Sequence, residues 1–214
     1  MDNSKKTRGR PKKIETEDLR RRIIDAAHVC FVENGFGKTT TAMVASRARI
    51  SKRDMYRSFS SKAELFGEVI RNRRQAILSL PRPPGEELGT LDTLCKIFRL
   101  DLDDRAAAER DAMLNLVARE SLQFPELSDL IYDTGIIKSR EELIEWLEEQ
   151  RRAGRITIDD TTDCAGLMMD VVFGALLPRR RFKDFVDREW QSRMIRGRLE
   201  IILKGLGSPA DVGQ

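Results

Sequence analysis

The stretch Thr39–Phe66, TTTAMVASRARISKRDMYRSFSSKAELF, constrains this chain more than any other. Its spacing predicts two short helices joined by a tight turn, one from Thr40 or Thr41 to Ala48 and one over Lys52–Ser58. A threonine caps the first and Ser51 the second, each offering a side-chain oxygen to an amide that the helix leaves without a partner. At about 100° per residue, Lys52, Arg53, Tyr56 and Arg57 cover one face of the second helix. Met55 and Phe59 turn toward a core. Val44, Ala45 and Ala48 form the packed face of the first helix, and the alanines let the second approach closely. Ser61 caps a further helix, with Glu64 completing a capping box and Leu65, Phe66, Val69 and Ile70 anchoring it.

A short helix with an apolar back and a cationic, phenolic front meets the demands of a DNA major groove. Charge is distributed to match. Through Lys62 there are 16 Lys and Arg against 7 Asp and Glu, a net of +9; the remainder has 23 against 28, a net of −5. Such asymmetry indicates a nucleic-acid partner for one end only, although a solvated basic surface gives the same count.

Upstream, apolar periodicity predicts a helix from about Thr16 to Asn34, capped by Thr16 or Asp18, with Leu19, Ile23, Ala26, Ala27, Cys30 and Phe31 as its buried stripe. Gly35 stops it, because glycine accepts the left-handed conformation that closes a helix. Gly35-Phe36-Gly37 is too short to cradle a phosphate. Arg20, Arg21 and Arg22 either reach phosphate or are solvated. Residues 1–15 form a flexible basic arm with too little apolar surface to fold alone. Within it Arg8-Gly9-Arg10-Pro11 resembles the core of an AT-hook, in which extended arginines seek the negative potential of an A·T-rich minor groove. A basic tail adding nonspecific affinity is the competing reading.

Several classes are disfavoured. No stretch of eighteen uninterrupted apolar residues suggests a membrane span, and the basic N-terminus lacks the apolar run of a secretory signal, so a cytoplasmic protein is expected. Cys30, Cys95 and Cys164 have neither metal-site spacing nor a disulfide framework. His28, the only histidine, has no catalytic constellation around it in sequence. Walker, GxGxxG and HExxH motifs are missing. No cofactor, metal or catalytic residue is expected, and the chain does not read as an enzyme.

Beyond Pro81–Gly89, which breaks the helix that follows Ser61, helical stretches are predicted near 86–103, 105–122, 125–152, 160–177 and 185–205. Gly135 interrupts or kinks the third of these. Residues 164–177 are apolar nearly all round apart from Asp170, so that helix must be covered on several sides. The last carries Trp190, Met194, Ile195, Leu199, Ile202, Leu203 and Leu206.

Taken jointly, Gly35-Phe36, Thr39-Thr40-Thr41, Val44-Ala45, Ala48, Ile50-Ser51-Lys52, Met55-Tyr56, Phe59, Ser61-Lys62 and Leu65-Phe66 resemble the DNA-binding domain of the TetR family of bacterial regulators. One position departs. The family usually has glycine in the turn where this chain has Arg49; if that site needs positive φ, arginine costs about 1 kcal/mol. The resemblance implies an all-α fold. A three-helix helix-turn-helix domain at 16–62 would precede a helical effector-binding and dimerisation domain at 63–207.

It also implies roles for individual residues. Lys52 and Arg53 would face base edges or adjoining phosphates, Arg53 pairing with guanine, and Arg57 would read sequence. Tyr56, Thr40, Thr41 and Lys62 would hold backbone phosphates, and the Arg49 side chain could reach one too. The last two helices would build a four-helix bundle in a homodimer. A small-molecule effector would occupy the central helices, where Ile97, Phe98, Met113, Leu116, Val117, Phe124, Met168 and Phe173 serve equally well as lining or as ordinary core. The expected function is a homodimeric repressor released from a palindromic operator by its effector. The alternative is a nonspecific, architectural DNA-binding protein relying on the basic arm.

Overall fold

The computed structural model describes residues 12–83, 85–132, 137–176 and 187–206, and among these there are ten α-helices and no strand. They are α1 (Lys12–Lys38), α2 (Thr41–Ala48), α3 (Lys52–Ser58), α4 (Lys62–Ile77), α5 (Thr90–Ile97), α6 (Asp104–Gln123), α7 (Pro125–Ile131), α8 (Ile137–Arg152), α9 (Thr161–Leu176) and α10 (Arg188–Leu206). The chain forms two compact units, Met1–Val69 and Ile70–Gln214.

In the first unit, α1 begins at Lys12, so Thr16 and Asp18 lie inside the helix and neither caps it. Nothing between Lys12 and Thr16 breaks a helix, and lysine and glutamate extend one readily. The expected stop is present: Gly35 has φ 74° and ψ 171°, a break within α1 that only glycine takes without strain. Thr39 secures the corner. Fully buried, it donates its hydroxyl hydrogen toward the carbonyls of Gly35 (2.7 Å) and Cys30 (3.0 Å). Ile23, Ala27, Cys30 and Phe31 are buried as the stripe predicts, with Val44, Met55, Phe59, Leu65 and Phe66 from the following helices. Phe31 meets Phe66 edge-on at 5.0 Å between centroids, and Phe36 meets Phe66 at 5.3 Å. Edge-to-face pairs of this kind add about 1 kcal/mol beyond area burial.

The second unit is built on Leu94, Ile97, Phe98, Leu143, Leu147, Met168, Val172, Ile195 and Leu199. Two elements differ from expectation. The stretch near 86–103 keeps a helix only over Thr90–Ile97, because Arg99 turns left-handed (φ 53°) and closes it. The long helix near 125–152 is two, α7 and α8; Gly135 itself lies outside the described residues. In α9 the buried positions include Cys164, Ala165, Met168, Met169, Val172 and Leu176, while Leu167 and Asp170 face outward.

Candidate nucleic-acid interface

α2 and α3 are positioned by local chemistry. Thr40 caps α2, its hydroxyl oxygen accepting the Met43 amide at 3.2 Å. At the other end Arg49 adopts φ 53°, ψ 52°; its amide donates to the Ser46 carbonyl and the Ile50 amide to the Ala45 carbonyl. This paired closure satisfies the last carbonyls of α2 and reverses the chain into α3. The turn therefore requires positive φ, and here an arginine supplies it. Ser51 caps α3 by accepting the Asp54 amide at 3.1 Å and donates its own hydroxyl to the Asp54 carboxylate at 2.7 Å.

The resulting surface carries Lys52, Arg53, Tyr56 and Arg57, all exposed, over a buried Met55. Tyr56 is 59% exposed, so it is not a core residue. Its hydroxyl lies 3.1 Å from that of Thr41, joining α2 to α3 through two groups that can each still bond outward. Arg57 is held 3.1 Å from the Asp54 carboxylate. Among the described residues, Lys52 and Arg53 have no carboxylate partner.

Not every predicted cation has the same freedom. Lys62 sends its ammonium to the Phe36 carbonyl (2.8 Å) and toward that of Gly37 (3.4 Å), and sits over the Phe36 ring at 4.2 Å. It ties α4 to the chain just after the Gly35 break. Arg20 and Arg22, expected to touch phosphate or water, do neither as their main task. Arg20 donates to the Ser58 carbonyl at the end of α3 (2.9 Å), pairs with Glu68 (3.2 Å) and covers the Phe59 ring. Arg22 donates to the Ala48 carbonyl at the end of α2 (2.7 Å). Two cations of α1 thus stabilise the C-terminal ends of both short helices, where carbonyls concentrate negative potential. Only Arg21 is left to a surface pair with Asp18. Arg8 and Arg10 lie outside the described residues.

The capping box of α4 is shifted by one residue. Ser61 accepts the Glu64 amide, but the Glu64 carboxylate receives the hydroxyl and amide of Ser60, both at 2.7 Å, which hold its pKa below the ordinary range. Burial raises the Cys30 pKa above the ordinary thiol value. Sequence reading did not single out Asp54 or the roles of Arg20 and Arg22. The Ser51-x-x-Asp54 spacing was a usable signal for the first; the arginines bond to residues 38 and 26 positions away, which no local pattern reveals.

Residues 23–69 match the family model for bacterial regulatory proteins of the tetR family, and residues 102–204 match that of the AefR-like transcriptional repressor C-terminal domain. The chain belongs to the TetR family. As such it is a DNA-binding transcriptional regulator of the repressor type, and not an enzyme. It is similar to the HTH-type transcriptional regulator UidR of Escherichia coli K12, 24% identical over 76% of this chain and 82% of that protein. Among solved structures, Salmonella enterica GusR matches with a TM-score of 0.70 at 24% identity, covering 87% of this chain and 96% of that one. The flavonoid-responsive regulator FrrA matches with a TM-score of 0.60 at 28% identity, covering 88% and 97%. The helix-turn-helix region, matched at 23–69, precedes the region matched at 102–204 in the larger helical unit.

That unit contains an apolar cavity of about 220 Å³ lined mainly by Ile70, Ile77, Leu114, Val117, Met169 and Phe173, with Arg74 and Ser139 also at its wall. Of the lining candidates named from sequence, it takes Val117 and Phe173; Ile97, Phe98, Met113, Leu116 and Met168 are fully buried. Among the described residues no His, Cys, Asp or Glu cluster could hold a metal ion, and no helix is long and apolar enough to cross a membrane.

Proposed function

We propose that this TetR-family regulator binds a palindromic operator as a homodimer and is released from it by a small-molecule effector. The observation that carries the proposal is the exposed face of α3, where Lys52 and Arg53, without a carboxylate partner among the described residues, stand beside Tyr56 and a tethered Arg57. In this reading Lys52 and Arg53 meet base edges and adjoining phosphates, and Arg57, aimed by Asp54, reads a further base. Thr40, Thr41 and Tyr56 offer hydroxyls to backbone phosphates. Arg49 adds its charge at the turn, and Lys62 takes a phosphate only by sharing its ammonium with the Phe36 and Gly37 carbonyls. Arg8 and Arg10 extend the footprint into the minor groove. The DNA-binding domain spans 16–62 and the effector and dimerisation domain 63–207.

Dimerisation through α9 and α10 is supported by large apolar side chains left uncovered there: Leu167 is 49% exposed, Trp190 56% and Ile201 70%. Two copies would place two α3 helices on half-sites about one helical turn apart. A cytoplasmic site of action follows from this role. An effector is supported by the 220 Å³ cavity and by FrrA, a similar protein named for its response to flavonoids. The test is selection of bound sequences from a random duplex library at near-physiological salt. Enrichment of one palindrome is expected; tight binding without enrichment would favour an architectural role for the basic arm.

A further inference from the structure

We propose that the effector of this regulator is a monoanionic, single-ring molecule, a small aromatic or cyclic carboxylic acid whose carboxylate is taken by Arg74 and Ser139. This rests on the reading of the 220 Å³ cavity as the effector site. Among the described residues, the cavity wall contains one cation, Arg74, and no acid. Arg74 is mostly buried, with Nη1 2.9 Å from Glu142 Oε1, yet that nitrogen has neither exposure nor an aligned hydrogen bond. Ser139 is 5% exposed and lines the same cavity. A buried donor left unsatisfied is costly. An acceptor entering the cavity would satisfy that nitrogen and offer the Ser139 hydroxyl a partner, and a carboxylate does so with a charge-assisted bond to Arg74.

Position supports the same conclusion. Ser139 and Glu142 are three residues apart on α8, so they share a helix face and both look toward Arg74. Glu142 also borders a separate polar cavity of about 400 Å³, together with Arg82, Glu145, Glu149 and Arg155. A carboxylate that displaces Glu142 from Arg74 therefore leaves it beside hydrated and charged neighbours and not stranded in a core. The exchange trades one ion pair for another and gains the Ser139 hydrogen bond. The rest of the described wall is apolar except for Ser121, whose hydroxyl already donates to the Ala118 carbonyl, so the ligand body must be mainly apolar too. An apolar cavity of about 150 Å³ holds a benzene ring; 220 Å³ holds one ring with a short side chain. Arg74 lies on α4, the helix that begins at Lys62 among the residues of the DNA-binding unit.

The experiment is calorimetric titration of the full-length protein with a series of phenylalkanoates, from phenylacetate to 5-phenylpentanoate, each beside its neutral primary amide. At least one acid is expected to bind at least tenfold more tightly than its amide. Arg74→Gln should abolish that preference, Arg74→Lys should retain most of it, and Glu142→Gln should strengthen acid binding. Ser139→Ala should weaken the acid several-fold. Melting of each ligand-free variant reports whether it folds. Equal affinity for acid and amide, or unchanged acid binding in folded Arg74→Gln, overturns the anionic class. If the amides still bind, and Met169→Trp blocks them, the cavity reading survives that failure. If no member of either series binds, both fall. Displacement of DNA by a bound acid, measured separately, reports on release alone.

Discussion

Arg49 is the residue whose backbone and side chain make opposite demands, so replacing it tests the account of the turn. Its φ of 53° and ψ of 52° place an L-residue in the left-handed region, at a cost of about 1–2 kcal/mol. Arg49→Gly removes that cost but lets the unfolded chain roam more widely, which returns about 0.4–1 kcal/mol. The side chain is exposed, so little packing is lost. The net expectation is a gain of about 0.5–1 kcal/mol, or a rise in Tm of about 1–4 °C for a chain of this size.

Two controls separate backbone from charge. Arg49→Ala deletes the cation but keeps the strained geometry, so its stability should match the parent. Arg99→Gly relaxes the same φ of 53°, but the Arg99 side chain donates to the Gln75 carbonyl at 3.3 Å, so the gain should be offset. The assay is thermal and urea unfolding of the three variants followed by helical circular dichroism. A rise in Arg49→Ala equal to that in Arg49→Gly would refute the backbone argument and assign the effect to relief of charge repulsion. Both substitutions at Arg49 should reduce the salt slope of DNA binding equally, by about one if that side chain meets a phosphate.

Arg53→Ala should cost about 1–3 kcal/mol on the selected operator with little loss on random duplex, measured by fluorescence anisotropy; equal losses on both would remove Arg53 as a base reader. Arg20→Ala should destabilise by about 2 kcal/mol, since the Ser58 carbonyl and Glu68 lose a shared, partly buried cation. Arg21→Ala, breaking only an exposed pair, should stay within about 0.5 kcal/mol of the parent in the same urea titration. All three thiols should react slowly with iodoacetamide at pH 8: burial pushes Cys164 up to about 11 and raises Cys30 and Cys95. Thiolate forms first in the unfolded chain, near pH 9.0, so these cysteines favour the fold below that pH and lose their contribution as it rises toward the folded values. Rapid labelling of Cys30 or Cys164 in native protein at pH 8 would contradict their burial.

What the sequence made legible was whatever depends on neighbours within a few positions. The α2 and α3 boundaries follow from threonine and serine caps, and the apolar stripe of α1 from periodicity. Even the strain at Arg49 could be raised in advance, because the family that the segment resembles usually has glycine at that turn. The same chemistry recurs at Arg99, where the Arg99 amide donates to Lys96 and that of Leu100 to Cys95. No motif marked that site, so the expected helix over 86–103 ran through it.

Contacts between distant residues were not legible. Arg20, Arg22 and Lys62 all read as DNA-facing cations or solvated charge, since a basic side chain looks the same in sequence whether it meets phosphate or carbonyl. In the fold Arg20, Arg22 and Lys62 each donate to main-chain carbonyls: at the end of α3, the end of α2 and the segment after Gly35. Carbonyls at a helix end carry partial negative charge and phosphates on a duplex a full one, and a long flexible cation serves either. This has a consequence for the interface. Part of the +9 charge of residues 1–62 is committed to holding the two helices at their angle, so the count of phosphates neutralised must fall below the count of basic residues. The slope of log affinity against log salt should therefore be shallower than the basic composition suggests, and nearly unchanged by charge-removing substitutions at Arg20 or Arg22 that leave the fold intact.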